Sequence, residues 1–161
     1  MKNMHKSFFV IFVLPVFISA MEFEKSVERD FFNAVESGKV TKVHECFKGI
    51  DIDCAQEAEV TPLMSACSGK HVSTVRYLLE QQADPARVDS DGNTPLHCAL
   101  ADRDSDKSKV YVIVDLLLRA GAHEVINQAN KDGVTPLKLA QINDFYAAEQ
   151  LIQGCLERVM Y

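Results

Sequence analysis

The sequence lacks the motifs by which many enzymes, zinc proteins and nucleic-acid-binding proteins are recognised. It contains no glycine-rich phosphate loop, no nucleophile elbow and no His-Glu-x-x-His. The spacings of its cysteines match no zinc pattern, and none of the five histidines clusters with them. Its lysines and arginines form no basic stripe of the kind that neutralises nucleic-acid phosphates. We therefore expect no cofactor, no metal and no nucleic-acid partner, although catalytic residues can converge from distant positions.

The longest apolar run is too short to span a membrane comfortably. Residues 7–20 carry no charge, whereas a spanning helix needs about 20 residues. Lys2 and Lys6 precede this run, and Ile18-Ser19-Ala20 ends it with small residues. A basic start, a short apolar core and small residues at the end are typical of a secretory signal peptide. We predict a signal peptide over residues 1–20 and a secreted or periplasmic mature protein, with an uncleaved anchor or a buried helix as the alternative.

No linker rich in proline, glycine or serine divides the rest of the chain. Residues 21–161 fit a single domain, and they carry 15 basic and 23 acidic side chains, a net charge of −8. Either a solvated, soluble surface or complementarity to a basic partner explains this acidity. After cleavage of the signal we expect no membrane span.

A Thr-Pro-Leu triplet occurs three times, with starts 33 and 41 residues apart, and an Ala follows each Leu by three residues. Periods of this length indicate a stack of small units, none of which buries its apolar face alone. Thr caps the free N–H groups of a helix, and Pro suits the first helical position. Each triplet therefore predicts the start of a helix whose Leu and Ala face is buried. The triplets are Thr61-Pro62-Leu63, Thr94-Pro95-Leu96 and Thr135-Pro136-Leu137.

A second apolar segment follows each triplet, and a turn precedes two of them. The apolar segments, 75–79, 110–118 and 147–152, predict second helices that pack antiparallel on the first. The turns are Asp91-Gly92 and Asp132-Gly133, residue pairs that reach positive φ in tight hairpins. The predicted fold is all-α, a solenoid of helix-turn-helix repeats linked by β-hairpin-like fingers.

This pattern resembles the ankyrin repeat. The similarity is carried by DSDGNTPLHCAL at Asp89–Leu100 with LLLRAGAH at Leu116–His123, by KDGVTPLKLA at Lys131–Ala140, and by the segment Thr61–Pro85. Asp30–Asp53 lacks the triplet, as an N-terminal capping repeat does. The resemblance implies about four repeats: a capping repeat over about 27–53 and repeats over about 54–88, 89–127 and 128–158.

The resemblance also implies a protein-protein interaction module that acts as a monomer through its hairpin tips and first helices. An adaptor, inhibitor, chaperone or effector would fit, and His97 would tie neighbouring backbone loops together. The alternatives are a scaffold with no high-affinity partner, and an enzyme or ion-dependent protein that uses an acidic insertion at 101–109. The candidate residues for binding a protein partner are Glu57, Ala58, Val60, Ser90, Asp91, Asn93, Ala101, Asp102, Lys131, Asp132, Val134, Ile142 and Asn143.

Two departures from the repeat pattern carry structural predictions. Ala58-Glu59 and Gln82 occupy positions that Asp91-Gly92 and Gly121 fill in the next repeat. Positive φ at such a non-glycine residue costs about 1 kcal/mol, so we expect a distorted first finger.

The second departure is the insertion around Ala101–Lys109, which we expect to form a protruding loop. Its carboxylates at Asp102, Asp104 and Asp106 match the start of a calcium loop, but Lys107 and Ile113 replace the glycine and glutamate that such a loop requires.

The five cysteines are the remaining candidates for chemistry. Cys67 and Cys98 lie on predicted first helices, where we expect free, buried thiols. Cys46 and Cys54 are close enough in sequence for a disulfide across the end of the capping repeat, a bridge that an exported protein permits.

Overall fold

A computed structural model describes residues 23, 25–47 and 49–159. These residues form eight α-helices and no β-strand, which confirms the all-α prediction. The first pair of helices is α1 (25–36) and α2 (Val40–Cys46). The next pairs are α3 (Pro62–Ser68) with α4 (Val72–Glu80), α5 (Pro95–Leu100) with α6 (Lys107–Arg119), and α7 (Pro136–Ile142) with α8 (Tyr146–Val159). Short 3₁₀ turns lie at Glu57–Glu59 and Ala122–Val125.

The predicted signal peptide at residues 1–20 lies outside the described residues. None of the helices that the structure describes is both long and apolar enough to cross a membrane.

Each Thr-Pro-Leu triplet starts a first helix, as predicted. Proline is the first residue of α3, α5 and α7. The Oγ1 atoms of Thr61 and Thr135 accept the N–H groups of Met64 and Lys138, both at 3.3 Å. Thr94 forms a reciprocal capping box with His97. The threonine oxygens thus satisfy N–H groups that have no partner inside the helix.

First helices pack on first helices and second helices on second helices. The helix α3 packs on α5 and α5 on α7, while α4 packs on α6 and α6 on α8. The repeated alanines Ala66, Ala99 and Ala140 are fully buried between the first helices. One core runs through all the repeats, and each Leu or Ile buried in it contributes about 1.5–3 kcal/mol.

Side chains also tie neighbouring repeats together where the first helices end. In each case a nitrogen bonds to a backbone carbonyl near the C-terminus of a first helix, where helix carbonyls lack partners of their own. The pairs are His71 Nε2 with the Glu36 carbonyl at 2.8 Å, Lys70 Nζ with Cys98 at 3.1 Å, and Asn143 Nδ2 with Leu100 at 2.7 Å. Hydrogen bonds depend on direction, so these bonds help to fix the orientation of neighbouring repeats, which apolar packing alone does not specify.

The His71 ring fills the space above two glycines of different repeats. A Cβ atom at either Gly38 or Gly69 would overlap the ring. Gly38 also has φ +66°, a conformation that side chains other than glycine rarely adopt. The ring therefore requires glycine on both sides of the boundary between the capping repeat and the first repeat.

All five cysteines are free thiols, so the bridge between Cys46 and Cys54 is not formed. Cys67 is buried, as predicted, and burial raises the pKa of its thiol. Cys98 packs against the core but is only partly buried, so the prediction of a buried thiol is wrong for this residue. Burial nevertheless raises its pKa to about 12. Both thiols are protonated at neutral pH, and the protonated form is a poor nucleophile.

The insertion is shorter as a loop than predicted. Residues 101–106 are irregular, but Lys107–Lys109 form the first turn of α6. Asp106 causes this difference, since its carboxylate accepts the N–H groups of Ser108 at 2.9 Å and Lys109 at 3.4 Å and so caps the helix. Part of the insertion therefore lengthens α6.

Candidate functional site

The three fingers, residues 56–60, 89–93 and 130–134, close with the same backbone hydrogen bonds. The first residue of each finger donates its N–H to the carbonyl four residues later: Gln56 to Val60 at 3.1 Å, Asp89 to Asn93 at 3.0 Å and Asn130 to Val134 at 3.0 Å. Ala58, Glu59 and Gln82 have φ of 61°, 58° and 68°, so the condition on which the expected distortion depended is met. The first finger is therefore distorted in its torsion angles, although its closing bond is kept.

Backbone hydrogen bonds also link each finger to the next. Ser90 donates its N–H to the Ala58 carbonyl, and Lys131 donates to the Asp91 carbonyl, both at 2.8 Å. The finger tips thereby form a continuous row across three repeats, which we call the finger row. Because each hairpin contributes two chain segments about 4.8 Å apart, equivalent tips lie about 10 Å apart.

Two finger residues that were absent from the sequence prediction brace the turns from inside. Asp89 Oδ1 accepts the N–H groups of Asp91 at 2.9 Å and Asn93 at 2.8 Å. Asn130 does the same for its own finger and donates Nδ2–H to Asn93 Oδ1 at 2.9 Å. The signal was present in the sequence, because an Asp or Asn three residues before a turn glycine commonly bonds to its own turn. The first finger has Gln56 at this position.

His97 connects the second finger to the third. Its Nδ1 accepts the Thr94 N–H at 3.1 Å, and its Nε2 donates to the Val134 carbonyl at 3.0 Å. Burial lowers the pKa of His97, while the bond to Val134 raises it. The ring therefore favours the neutral form with the proton on Nε2. This geometry matches the linking role that the resemblance implied.

The candidate residues fall into two groups at opposite ends of the first helices. The finger residues precede each triplet, whereas Ala101, Asp102, Ile142 and Asn143 follow the helices. A first helix of six residues is about 9 Å long, which separates the groups. Eight candidates are exposed: Glu57, Ala58, Asp91, Ala101, Asp102, Lys131, Asp132 and Ile142. Val60, Ser90, Asn93 and Val134 are half-buried.

Asn143 is used inside the protein. It is 8% exposed, and its amide bonds to the Leu100 carbonyl. Its side chain is thus unavailable to a partner while the third repeat stays docked on the second.

The finger row is acidic. Glu57, Glu59, Asp91 and Asp132 are exposed, and Lys131 is the exposed cation among them. Within the residues that the structure describes, the ion pairs are Arg103 with Asp144 and Arg119 with Asp115. The tip carboxylates are therefore in no ion pair there and face solvent.

Two carboxylates of the insertion, those of Asp102 and Asp106, accept hydrogen bonds from the insertion itself. Asp102 accepts the Ser105 hydroxyl at 2.7 Å and the Asp104 N–H at 3.1 Å. These two bonds lower the pKa of Asp102. The described part of the chain contains no group of three or more His, Cys, Asp or Glu side chains placed to hold a metal ion. No observation here favours the ion-dependent alternative.

Comparison with known families agrees with this architecture. A family model described as "Ankyrin repeats (3 copies)" matches residues 31–110, and one described as "Ankyrin repeat" matches 91–131. This chain belongs to the ankyrin repeat family. Ankyrin repeats form a protein-protein interaction module, and the fold is generally a binding scaffold rather than a catalytic one.

Similar proteins come from bacteria and animals. The chain is 28% identical over 123 residues to phosphocholine transferase AnkX of Legionella pneumophila, covering 74% of this chain and 12% of that protein. It is 43% identical over 83 residues to a putative ankyrin repeat protein of Rickettsia felis, covering 50% of this chain and 35% of that one. It is 39% identical over 80 residues to neurogenic locus notch homolog protein 4 of Homo sapiens, covering 50% of this chain and 4% of that one. The chain thus spans a minor part of these relatives' length.

Proposed function

We propose that this ankyrin repeat protein binds a basic segment of a protein partner through its finger row and the exposed residues of its first helices. The observation that supports this most is the backbone link between fingers, Ser90 to Ala58 and Lys131 to Asp91, both at 2.8 Å. These bonds hold the tips in place before a partner arrives, so little conformational entropy is lost on binding. The carboxylates of Glu57, Glu59, Asp91 and Asp132 along this row would attract a partner of opposite charge and speed its association.

Photo-crosslinking tests the location of the surface. A benzophenone amino acid would replace Asp132 at a finger tip or, as a matched control, the exposed Arg76 on α4. We expect a covalent adduct of defined mass from position 132 and none from position 76, in cells that naturally make the protein. Equal adducts from both positions, or an adduct from position 76 alone, would place the partner elsewhere.

Charge substitution then tests the basic partner. We expect Asp91→Asn with Asp132→Asn to weaken binding of the identified partner about tenfold, mainly through slower association, and to reduce its salt dependence. The control is Glu80→Gln with Glu124→Gln, which removes two exposed carboxylates away from the fingers. Similar losses in both double variants would refute a local role for the finger charges.

We further propose that the protein is exported, to the periplasm or outside the cell. The proposal rests on the basic start, the uncharged run at 7–20 and the small residues before Met21. N-terminal sequencing of the protein from envelope and culture-medium fractions tests it. We expect a mature chain that begins at Met21. A chain that retains Met1 in the cytoplasmic fraction would contradict export.

A further inference from the structure

We propose that the partner segment is an α-helix that lies along the finger row and carries an arginine or lysine at every seventh residue. Successive cations on one face of this helix would contact Asp91 and Asp132. The helix would occupy the surface assigned under the proposed function, so its assignment depends on that function and specifies the conformation of what binds there.

The second and third fingers offer no backbone N–H group to a partner. Each of the residues 89–93 donates its N–H to an acceptor inside the protein. Each of the residues 130–134 does the same. The carbonyl groups of Ser90 and Lys131, in contrast, have no donor among the described residues. To a partner, the backbone of these two fingers therefore presents acceptors alone.

Such a surface suits a helix better than an added β-strand. A strand pairs with its neighbour by exchanging N–H donors and carbonyl acceptors, and here the carbonyls of an added strand would find no donor. A helix bonds its own backbone internally and binds through side chains. Arginine and lysine side chains carry several N–H donors and no acceptor, so they match a surface of carboxylates and carbonyls.

The first finger differs from the other two. Gln56 and Glu59 donate their N–H groups inside the finger, but those of Glu57, Ala58 and Val60 have no acceptor among the described residues. The carboxylates of Glu57 and Glu59 are exposed at its tip. The first finger therefore extends the acidic row, while the second and third fingers determine the conformation of the bound segment.

The distance between finger tips sets the spacing of the cations. Asp91 and Asp132 occupy equivalent positions of consecutive fingers, and such tips lie about 10 Å apart. A helix rises about 1.5 Å per residue, so this distance corresponds to about seven residues, or about two turns. Side chains at i and i+7 lie on one face of a helix. A single face can thus reach both carboxylates.

The charges of the fingers favour separated cations over a continuous basic run. Residues 56–60, 89–93 and 130–134 together carry five carboxylates and one ammonium group, that of Lys131. The Lys131 backbone lies between the two tips, since its N–H bonds to the Asp91 carbonyl. A partner cation beside Lys131 would be repelled, whereas cations at Asp91 and Asp132 would be attracted. Uncharged residues between the cations therefore fit this row.

Three amide-capped peptides test the helix and its spacing. Each is about 17 residues long and carries three arginines among alanines and glutamines, which favour helix. The first has arginine at every seventh position and the second at every fifth. The third equals the first except for two central prolines, which prevent a helix. Fluorescence anisotropy at low salt measures their affinities for the purified protein, and circular dichroism verifies the helix content of the free peptides.

We expect the first peptide to bind at least tenfold more tightly than the second and the third. This preference should be lost in the double variant Asp91→Asn with Asp132→Asn. The control is Glu80→Gln with Glu124→Gln, which removes two exposed carboxylates away from the fingers and should keep the preference.

The other outcomes separate the helix from the proposed function. Equal binding of the three peptides, or tightest binding of the second or the proline peptide, would overturn the helix. If the finger double variant still weakened that binding, the proposed function would stand. Binding of no peptide, or binding that Asp91→Asn with Asp132→Asn leaves unchanged, would refute both.

Discussion

At the scale of single residues, backbone torsions show where this chain departs from its own repeat. Gln82 has φ 68°, and the equivalent residue of the next repeat is Gly121, with φ 114°. A side chain in this region crowds the following carbonyl and costs about 1–2 kcal/mol. The first repeat therefore carries strain that its neighbour avoids.

Replacing Gln82 by glycine should relieve this strain. We expect Gln82→Gly to raise the free energy of unfolding by about 0.5–1 kcal/mol, after the greater freedom of glycine in the unfolded chain is subtracted. The adjacent Gln81 has φ −84°, so Gln81→Gly should instead lower stability by about 0.5–1 kcal/mol. Urea denaturation measures both, and a loss at position 82 would contradict the assignment of strain.

His97 makes stability depend on pH. Because burial lowers its pKa in the folded protein below the ordinary value of 6.5, the unfolded chain binds the proton more readily. Its contribution to stability is thus present above pH 6.5 and is lost as the pH falls through the folded-state pKa.

Unfolding measurements between pH 7.5 and pH 5 test this link. We expect the free energy of unfolding to fall less steeply with acidification in His97→Gln than in the wild type. The exposed His123 provides the control, since His123→Gln should keep the wild-type slope. Equal slopes in His97→Gln and wild type would exclude His97 as the source.

At the scale of helices and fingers, the sequence predicts where helices start better than it predicts which distant residues contact each other. The Thr-Pro-Leu triplets predicted the starts of α3, α5 and α7, because threonine caps and proline torsions act over a few residues. Asn143 was a candidate for binding a partner, but it bonds to Leu100, 43 positions earlier. No local pattern reveals such a bond. The first turn of α6 was missed for a local reason, since Asp106 was interpreted as part of an acidic loop and not as a helix cap.

The Asn143 bond should contribute measurably to the stability of the boundary between the second and third repeats. Asn143→Ala leaves the Leu100 carbonyl without that partner, which costs about 1–3 kcal/mol of stability. Asn127→Ala removes an exposed amide and should change stability by less than about 0.5 kcal/mol. Thermal and urea denaturation measure both variants. A similar, small effect of the two would mean that Asn143 is dispensable.

At the scale of the whole molecule, bonds between repeats are unevenly distributed. The boundary between the second and third repeats has bonds at the fingers, at His97, at Asn143 and at Arg103. The boundary between the first and second repeats has the Ser90 backbone bond and the Lys70 side-chain bond. In repeat proteins local stability is set largely by such nearest-neighbour boundaries.

Amide hydrogen exchange should follow this distribution. We expect the slowest exchange in α5. Among the described residues α1 packs against a neighbouring repeat on one side only, and we expect its amides to exchange through openings smaller than global unfolding. Mass spectrometry of deuterated peptides covering 25–36 and 95–119 measures the difference. Protection of α1 equal to that of α5 would mean that the stack opens as one unit.

The His71 ring has a consequence for how this sequence can diverge. Since the ring occupies the space of a Cβ atom at both Gly38 and Gly69, neither glycine can be replaced while the histidine stays in place. Three positions in two repeats are therefore joined in one evolutionary constraint. Natural variants should either keep all three residues or change His71 to a smaller residue before side chains arise at the glycines.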